Sequence, residues 1–498
     1  MTTGRGGITR VVGLAMVVSV SLIAACTSTP TRTSAPVSTS LPPAAPVAPI
    51  LWSPCAANPG LQCGSVPVPV DYHHPDRGTL TVAVSRAVAR HPSPQTRSLV
   101  VNPGGPGESG NQILPVLLAY LPVAIRQQFD IVSFDPRGTG ASDPLDCGTS
   151  PATVTRLAPV PTSPSQPLPG AAVFAAMAQA CQTRFPRLEP NVDTVNTARD
   201  MDRIRAALGE ASISFYGLSY GTVLGTVYAE LFPQRIRSMV LDGAVDVNAT
   251  LPQQARQQAP AAERSLQHLL ATCGGVTPCP LGSDPQGYFQ TVSRDLGSAG
   301  IGGANPPVTD GDLDTATLLT LSVPAATPSY LQALVAAHHG NGGPLRQLAL
   351  LLATDINGAP LVDSLWAITC NDAATHPGPI VAGTLARQLA AADPLIGGYA
   401  ATYALGGCVA WPAPHQPVAN VHLSGAPPTL VVGNTGDPNT PHIGATHLAA
   451  LFPKASQLTW NGWGHTWLLS GSTDACMQQD VTTYLLDGAL PASGTVCS

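Results

Sequence analysis

Short runs of β-prone apolar residues recur along the chain, and each is followed at once by small or turn-forming residues. Ser98-Leu99-Val100-Val101 leads into Asn102-Pro103-Gly104-Gly105-Pro106-Gly107, and Asp130-Ile131-Val132-Ser133-Phe134 into Asp135-Pro136-Arg137-Gly138-Thr139-Gly140. The same pattern returns at 212–216, 237–241, 429–432 and 456–460. Runs this short, with little polar alternation, fit strands buried on both faces. Between them lie helical patterns. Thr197 to Leu208 places Met201, Ile204, Ala207 and Leu208 on one face, with Thr197 and Asp200 spaced as a capping box and Gly209 as a stop. Strand, helix, strand in this rhythm predicts an α/β fold, a mostly parallel sheet covered by helices, with 212–216 near its centre.

The rhythm breaks between Asp246 and about Pro427, a stretch rich in Ala, Leu, Gln and Pro and mostly helical in pattern. This predicts a helical cap, 246–427, inserted over the sheet's C-terminal edge, with the core split into 51–245 and 428–498. An independent domain is the other reading. A cap would shape the pocket and limit access by water.

The first residues read as a leader. Arg5 and Arg10 precede the apolar run Val11 to Ala25, which is short for a membrane span and ends in small residues. Its ending, Leu22-Ile23-Ala24-Ala25-Cys26, resembles the bacterial lipoprotein signal, in which cleavage before the cysteine leaves it as a lipid-bearing N-terminus. A plain secretory signal with an incidental cysteine is the alternative. Residues 1–25 are thus expected to be removed, and 26–50, full of Pro, Ser, Thr and Ala, to form a tether. The expected location is the outer face of the cell membrane, held there through Cys26.

Composition narrows the partners. Charged residues make up only 10% of the 498, the net charge is -6, and no long basic run occurs, which argues against nucleic acid. Of 11 cysteines, ten remain once Cys26 is set aside, an even number that suits disulfides in an oxidising compartment. They fall in local couples: Cys55 with Cys63, Cys147 with Cys181, Cys273 with Cys279, Cys370 with Cys408, Cys476 with Cys497. Sequence does not fix that pairing. A zinc site is the rival, but no Cys-x-x-Cys occurs, and His73-His74 and His338-His339 lack ligand spacing. No metal or organic cofactor is expected.

The chemistry centres on Gly217-Leu218-Ser219-Tyr220-Gly221. Between a strand and a helix, Gly-x-Ser-x-Gly makes a strained corner that lifts the serine hydroxyl clear of the sheet. Asp437 and His465 each lie just past a later strand, so the order Ser219, Asp437, His465 is that of α/β-hydrolase triads. Gly105 and Tyr220 are placed to offer backbone N–H groups to an oxyanion. A sharp rival is the dinucleotide fingerprint formed by Gly105, Gly107 and Gly110, with Asp130 as the ribose acid. Pro106 removes an N–H that pyrophosphate would need, and Asp130 precedes its strand instead of following one.

Together Asn102 to Gly110, Asp135 to Ser142, Gly217 to Thr222, Gly436 to Pro441 and Gly464-His465-Thr466 resemble the tripeptidyl aminopeptidase branch of the prolyl-oligopeptidase-like α/β hydrolases, secreted enzymes and lipoproteins of actinobacteria. The resemblance runs from about Trp52 to the C-terminus and is thin in the cap. It implies cleavage from a free N-terminus, with acidic side chains gripping the substrate's ammonium. Glu108 stands where such loops carry a small residue and is one candidate grip. Asp372, in the segment Ile368-Thr369-Cys370-Asn371-Asp372 that looks like the family's cap returning towards the site, is the other. Both also fit ordinary structural acids. The same triad cleaves esters, so a lipase or carboxylesterase remains an alternative, which a wide apolar tunnel without a carboxylate would favour. A non-catalytic envelope binding protein is the third reading.

Overall fold

The apolar runs assemble into a ten-stranded sheet among the described residues. The computed structural model describes residues 46–93, 96–157, 160–297, 300–355 and 357–498. The leader, Cys26 and most of the tether lie outside them. The strands are β1 (Ser53–Pro54), β2 (Gln62–Pro69), β3 (Thr79–Ala87), β4 (Arg97–Asn102), β5 (Phe129–Phe134), β6 (Ile213–Leu218), β7 (Ile236–Asp242), β8 (Thr429–Gly436), β9 (Ala455–Trp463) and β10 (Thr495–Cys497). Their order across the sheet is β1-β2-β3-β5-β4-β6-β7-β8-β9-β10. The pairs β1/β2, β2/β3 and β3/β5 are antiparallel, and from β5 to β10 every pair is parallel.

Alternation along the parallel strands explains their unbroken apolar runs. In β4, Val100 joins the core on one face while Leu99 and Val101 join that on the other; in β6, Phe215 and Tyr216 divide the same way. Helices Gly110–Tyr120, Thr194–Ala207, Gly221–Leu231, His442–Leu451 and Ala475–Asp487 accompany the sheet. Ile50 is buried and its N–H bonds the carbonyl of Ala207. The end of the stretch expected to be tether therefore packs on the core.

Between β7 and β8 run helices Leu251–Thr272, Pro285–Leu296, Asp310–Ser322, Thr327–His338, Gly343–Ala353, Val362–Asp372, Pro379–Ala392 and Gly397–Leu405. They enclose their own apolar cluster, which also takes in Leu145, Leu168, Phe174, Met177 and Val192 from the excursion between β5 and β6. The helical layer is thus built from two separate lengths of chain. All five expected cysteine couples are joined as disulfides. In the loop-entropy picture, the 34- and 38-residue separations of Cys147–Cys181 and Cys370–Cys408 restrict the unfolded chain most.

Two expectations are corrected. The helix before β6 starts at Thr194, where Asp193 caps it by accepting the N–H of Asn196 at 2.7 Å. Thr197 instead bonds the Asp193 carbonyl, and Asp200 forms a buried ion pair with Arg137. Asp130 lies inside β5 at its N-terminal end, where it accepts the N–H of Ala89 and pairs with Arg86. The glycine-rich loop follows the C-terminal end of the parallel strand β4, so the two halves of the dinucleotide fingerprint occupy opposite edges of the sheet.

Arg137 shows why Asp135-Pro136-Arg137-Gly138 is needed. Its Nε and Nη2 reach both oxygens of Asp200 at 2.7 Å, and its remaining donors reach the carbonyls of Pro69, Val70 and Asn191. Asp135, buried beside it, accepts from Ser109 Oγ and from the N–H groups of Asn111 and Ala141. This pins the start of the helix that follows the glycine-rich loop. Removing one partner of a buried pair strands the other's charge, at a cost of about 3–5 kcal/mol. Arg137→Met is expected to lose stability on that scale in urea unfolding, and Arg137→Met/Asp200→Leu to recover much of the loss.

Candidate active site

β6 ends in a corner that only small neighbours permit. Ser219 has φ +53°, a left-handed conformation unusual for a residue with a side chain. Its N–H bonds the Asp242 carbonyl at 2.8 Å, and its own carbonyl accepts from the N–H and hydroxyl of Thr222. A Cβ on Gly217 would lie 2.3 Å from the carbonyl oxygen of Gly221. The corner therefore closes only with glycine there, and Ser219 is left partly exposed at the C-terminal edge of the sheet.

The loop after β4 lies against this corner. A Cβ on Gly104, itself at φ +94°, would sit 2.5 Å from the Leu218 carbonyl oxygen and 2.7 Å from the Tyr220 nitrogen. Asn102 Oδ1 holds the Gly104 N–H. Among the described residues neither the N–H of Gly105 nor that of Tyr220 finds an acceptor, and both residues line the same cavity as Ser219. Two free donors beside a raised serine suit an oxyanion.

Asp437 and His465 meet past the ends of β8 and β9. The imidazole Nδ1 lies 3.0 Å from both Asp437 oxygens. A carboxylate only accepts, so Nδ1 carries the proton and Nε2 is the ring's basic nitrogen. Asp437 is buried and also takes the N–H groups of Asn439, Thr440 and Thr466 and the Thr440 hydroxyl. The His465 N–H bonds the Ser322 carbonyl at the end of a cap helix. Burial presses the His465 ring towards neutrality, but the carboxylates of Asp437, Asp242 and Glu108 together lift its pKa above the ordinary value.

Asp242, the last residue of β7, is the site residue that sequence reasoning missed. Its main-chain carbonyl holds Ser219, while its fully buried carboxylate accepts from Trp467 N–H at 2.9 Å, Leu468 N–H at 3.0 Å and the Tyr216 hydroxyl at 3.0 Å. It thus ties the serine corner to the loop carrying His465. Burial pushes its carboxyl up to about 6, against the pull of those donors.

The two candidate grips differ. Glu108 is partly exposed, accepts no hydrogen bond among the described residues and acts electrostatically on His465, while burial raises its pKa. Asp372 has both oxygens engaged, by the Thr194 N–H and the Tyr220 hydroxyl, and burial pushes its carboxyl up to about 6. It serves as a brace between the cap and Tyr220, not as an open grip.

The cavity at Ser219 has a volume of about 150 Å³, small beside the roughly 300–1,000 Å³ of drug-sized sites. Asp246 and three glutamines of one helix form a polar wall, and Leu318, Leu365, Trp366 and Tyr403 also line the cavity. No expectation from sequence included that polar wall.

Asp242→Asn is expected to lower kcat/KM about tenfold, the scale of one misdirected hydrogen bond to a charged group. Because a carboxylate that favours the imidazolium is removed, the acid limb of the pH profile should move to lower pH. A loss of rate with an unmoved limb would mean that Asp242 acts on packing alone.

A family profile described as TAP-like protein matches residues 393–497. Serine protease Hip1 of Mycobacterium tuberculosis is 34% identical over 483 residues, covering 90% of this chain and 91% of the relative. Tripeptidyl aminopeptidase of Streptomyces coelicolor is 30% identical over 480 residues, covering 91% and 86%. Carboxylesterase B of Mycobacterium tuberculosis is 30% identical over 460 residues, covering 88% and 86%. Likeness of this extent, on a sheet that carries the serine corner, means that the chain belongs to the tripeptidyl aminopeptidase-like family of α/β hydrolases and is a serine hydrolase.

Proposed function

We propose that the chain is an exported serine peptidase that cuts short peptides or amino acids from free N-termini, held at the outer face of the cell membrane by lipid on Cys26. Support for export comes from the leader pattern and from five disulfides, which persist in oxidising compartments. The observation that carries the peptide reading is the cavity wall. A pocket with a carboxylate and three amides among its lining residues suits a peptide better than a lipid acyl chain. Relatives named serine protease and tripeptidyl aminopeptidase agree. The relative named carboxylesterase B keeps ester cleavage as the second reading.

In this reading His465 Nε2 takes the proton of Ser219 Oγ as that oxygen attacks the scissile carbonyl, and Asp437 holds the imidazolium that forms. The oxyanion rests on the N–H groups of Tyr220 and Gly105, where one donor is typically worth on the order of 10²–10³ in rate. His465 protonates the leaving amine, and water then releases the acyl group by the same route. Glu108 receives the substrate's ammonium, which would draw its carboxyl into the charged form.

The deciding experiment compares the protein with Ser219→Ala on an aminoacyl or tripeptidyl anilide with a free N-terminus, its N-acetylated twin and a medium-chain ester. Ser219-dependent cleavage of the free anilide, lost on acetylation, is the expected outcome; cleavage of the ester alone would transfer the assignment to an esterase. The pH profile follows from His465. Only its neutral form accepts a proton, so kcat/KM should climb with pH along a limb centred above 6.5, the ordinary histidine value. Glu108→Gln should move that limb to lower pH and cut kcat/KM for the free anilide by about tenfold or more.

A further inference from the structure

The polar wall of the Ser219 cavity is formed by Asp246, just past β7, and by Gln254, Gln257 and Gln258, which share one face of helix Leu251–Thr272. Each glutamine uses its amide nitrogen elsewhere. Gln254 Nε2 donates to the Ala249 carbonyl at 3.1 Å, Gln257 Nε2 to Asp246 Oδ2 at 2.9 Å, and Gln258 Nε2 to the Asn439 carbonyl at 2.8 Å. All three partners can only accept, so the orientation of each amide is set by chemistry. Every side-chain carbonyl oxygen is then left without a donor among the described residues. Asp246 repeats the pattern: its Oδ2 also takes the ring of His447 at 2.7 Å, while its Oδ1 has no donor there.

The cavity therefore offers four acceptor oxygens, and among the described residues no Lys, Arg or His lines it. The Asp246 side chain is only 11% exposed. Apolar side chains, Leu318, Leu365 and Trp366 among them, line the same cavity. An occupant that matches both kinds of lining has a methylene stem and a donor-rich cationic tip.

We propose that this wall is a specificity site for a basic side chain, lysine or arginine, on the peptide residue next to the cut. The inference rests on the peptidase reading above and adds to it the kind of peptide. It assigns Asp246 to a side-chain cation, separate from the N-terminal ammonium.

The test uses substrates that all carry a free N-terminus and differ in one residue: arginine, lysine, citrulline or norleucine. That residue is varied on the acyl side in paired anilides and esters, and on the leaving side in short peptides. The expected result is a kcat/KM about tenfold or more higher for arginine and lysine than for citrulline and norleucine in one series. That ratio should fall towards one in Asp246→Asn and, separately, in Gln257→Leu, and persist in Asp76→Asn, a change at an exposed residue far along the chain. A ratio near one in the unaltered protein would overturn the inference. So would an equal loss on all four residues in Asp246→Asn, the pattern expected if this carboxylate reads the N-terminal ammonium or only supports the fold. Cleavage of esters with all amides untouched would instead sink the peptidase reading, and the ester ratio would still decide whether the wall reads a cation.

Discussion

The left-handed turn at Ser219 is the constraint around which the site is arranged. A residue with a side chain at φ +53° persists only when its surroundings over-determine it. Here the surroundings are the strands on either side of β6. From β4 comes the glycine-rich loop, close enough that a methyl group on Gly104 would strike the corner. From β7 comes Asp242, whose carbonyl holds the serine N–H. The central position of β6 thus does more than bury a strand, because it lets both neighbours clamp the corner and bring the glycine-rich loop and the histidine loop to it.

Few charges are spent on the surface, and several of the carboxylates are internal. Asp135, Asp200, Asp242, Asp372 and Asp437 are each at most 5% exposed, and each accepts from donors on a different segment of the chain. Burying a carboxylate is unfavourable unless it is paired or well hydrogen-bonded. These groups are retained where loops, which have no sheet ladder of their own, must hold a fixed position. Asp135 fixes the exit of the glycine-rich loop, Asp242 the histidine loop, Asp372 the ring of Tyr220. The pull of Asp437 and Asp242 on His465 is a consequence of that framework, so the acid–base balance of the histidine is partly set by groups that also place it.

The parallel strands were legible because burial on both faces leaves an apolar run with no ambiguity of register, and the serine, acid and histidine were legible because each follows such a run. The antiparallel strands β2 and β3 were not. Their signal is an alternation of buried and exposed positions, interrupted in β2 by Pro67 and Pro69. The start of the helix before β6 was misplaced because Thr197 and Asp200 match a capping pattern locally, while long-range partners at Arg137 and the true cap at Asp193 decide the outcome. The role of Asp242 could have been suspected from an acid at the end of a central strand, but its partners Trp467 and Leu468 are more than two hundred residues away. No local pattern announces a contact of that span.

The cap illustrates the same limit, and also why it matters for chemistry. Its helices were expected from composition, yet nothing in that composition says that Gln254, Gln257 and Gln258 face the cavity or that their nitrogens are already engaged. Those engagements also join cap to core: Gln258 holds the Asn439 carbonyl beside Asp437, Asn439 in turn bonds the Ser322 hydroxyl, and Ser322 accepts the N–H of His465. Gln258, one of the side chains whose carbonyl oxygen is left without a donor among the described residues, is therefore part of the chain of bonds that positions the acid and the histidine. A substitution on this wall should be read through both kcat and KM, since an occupant that satisfies those oxygens acts on the same helix that steadies the reacting groups.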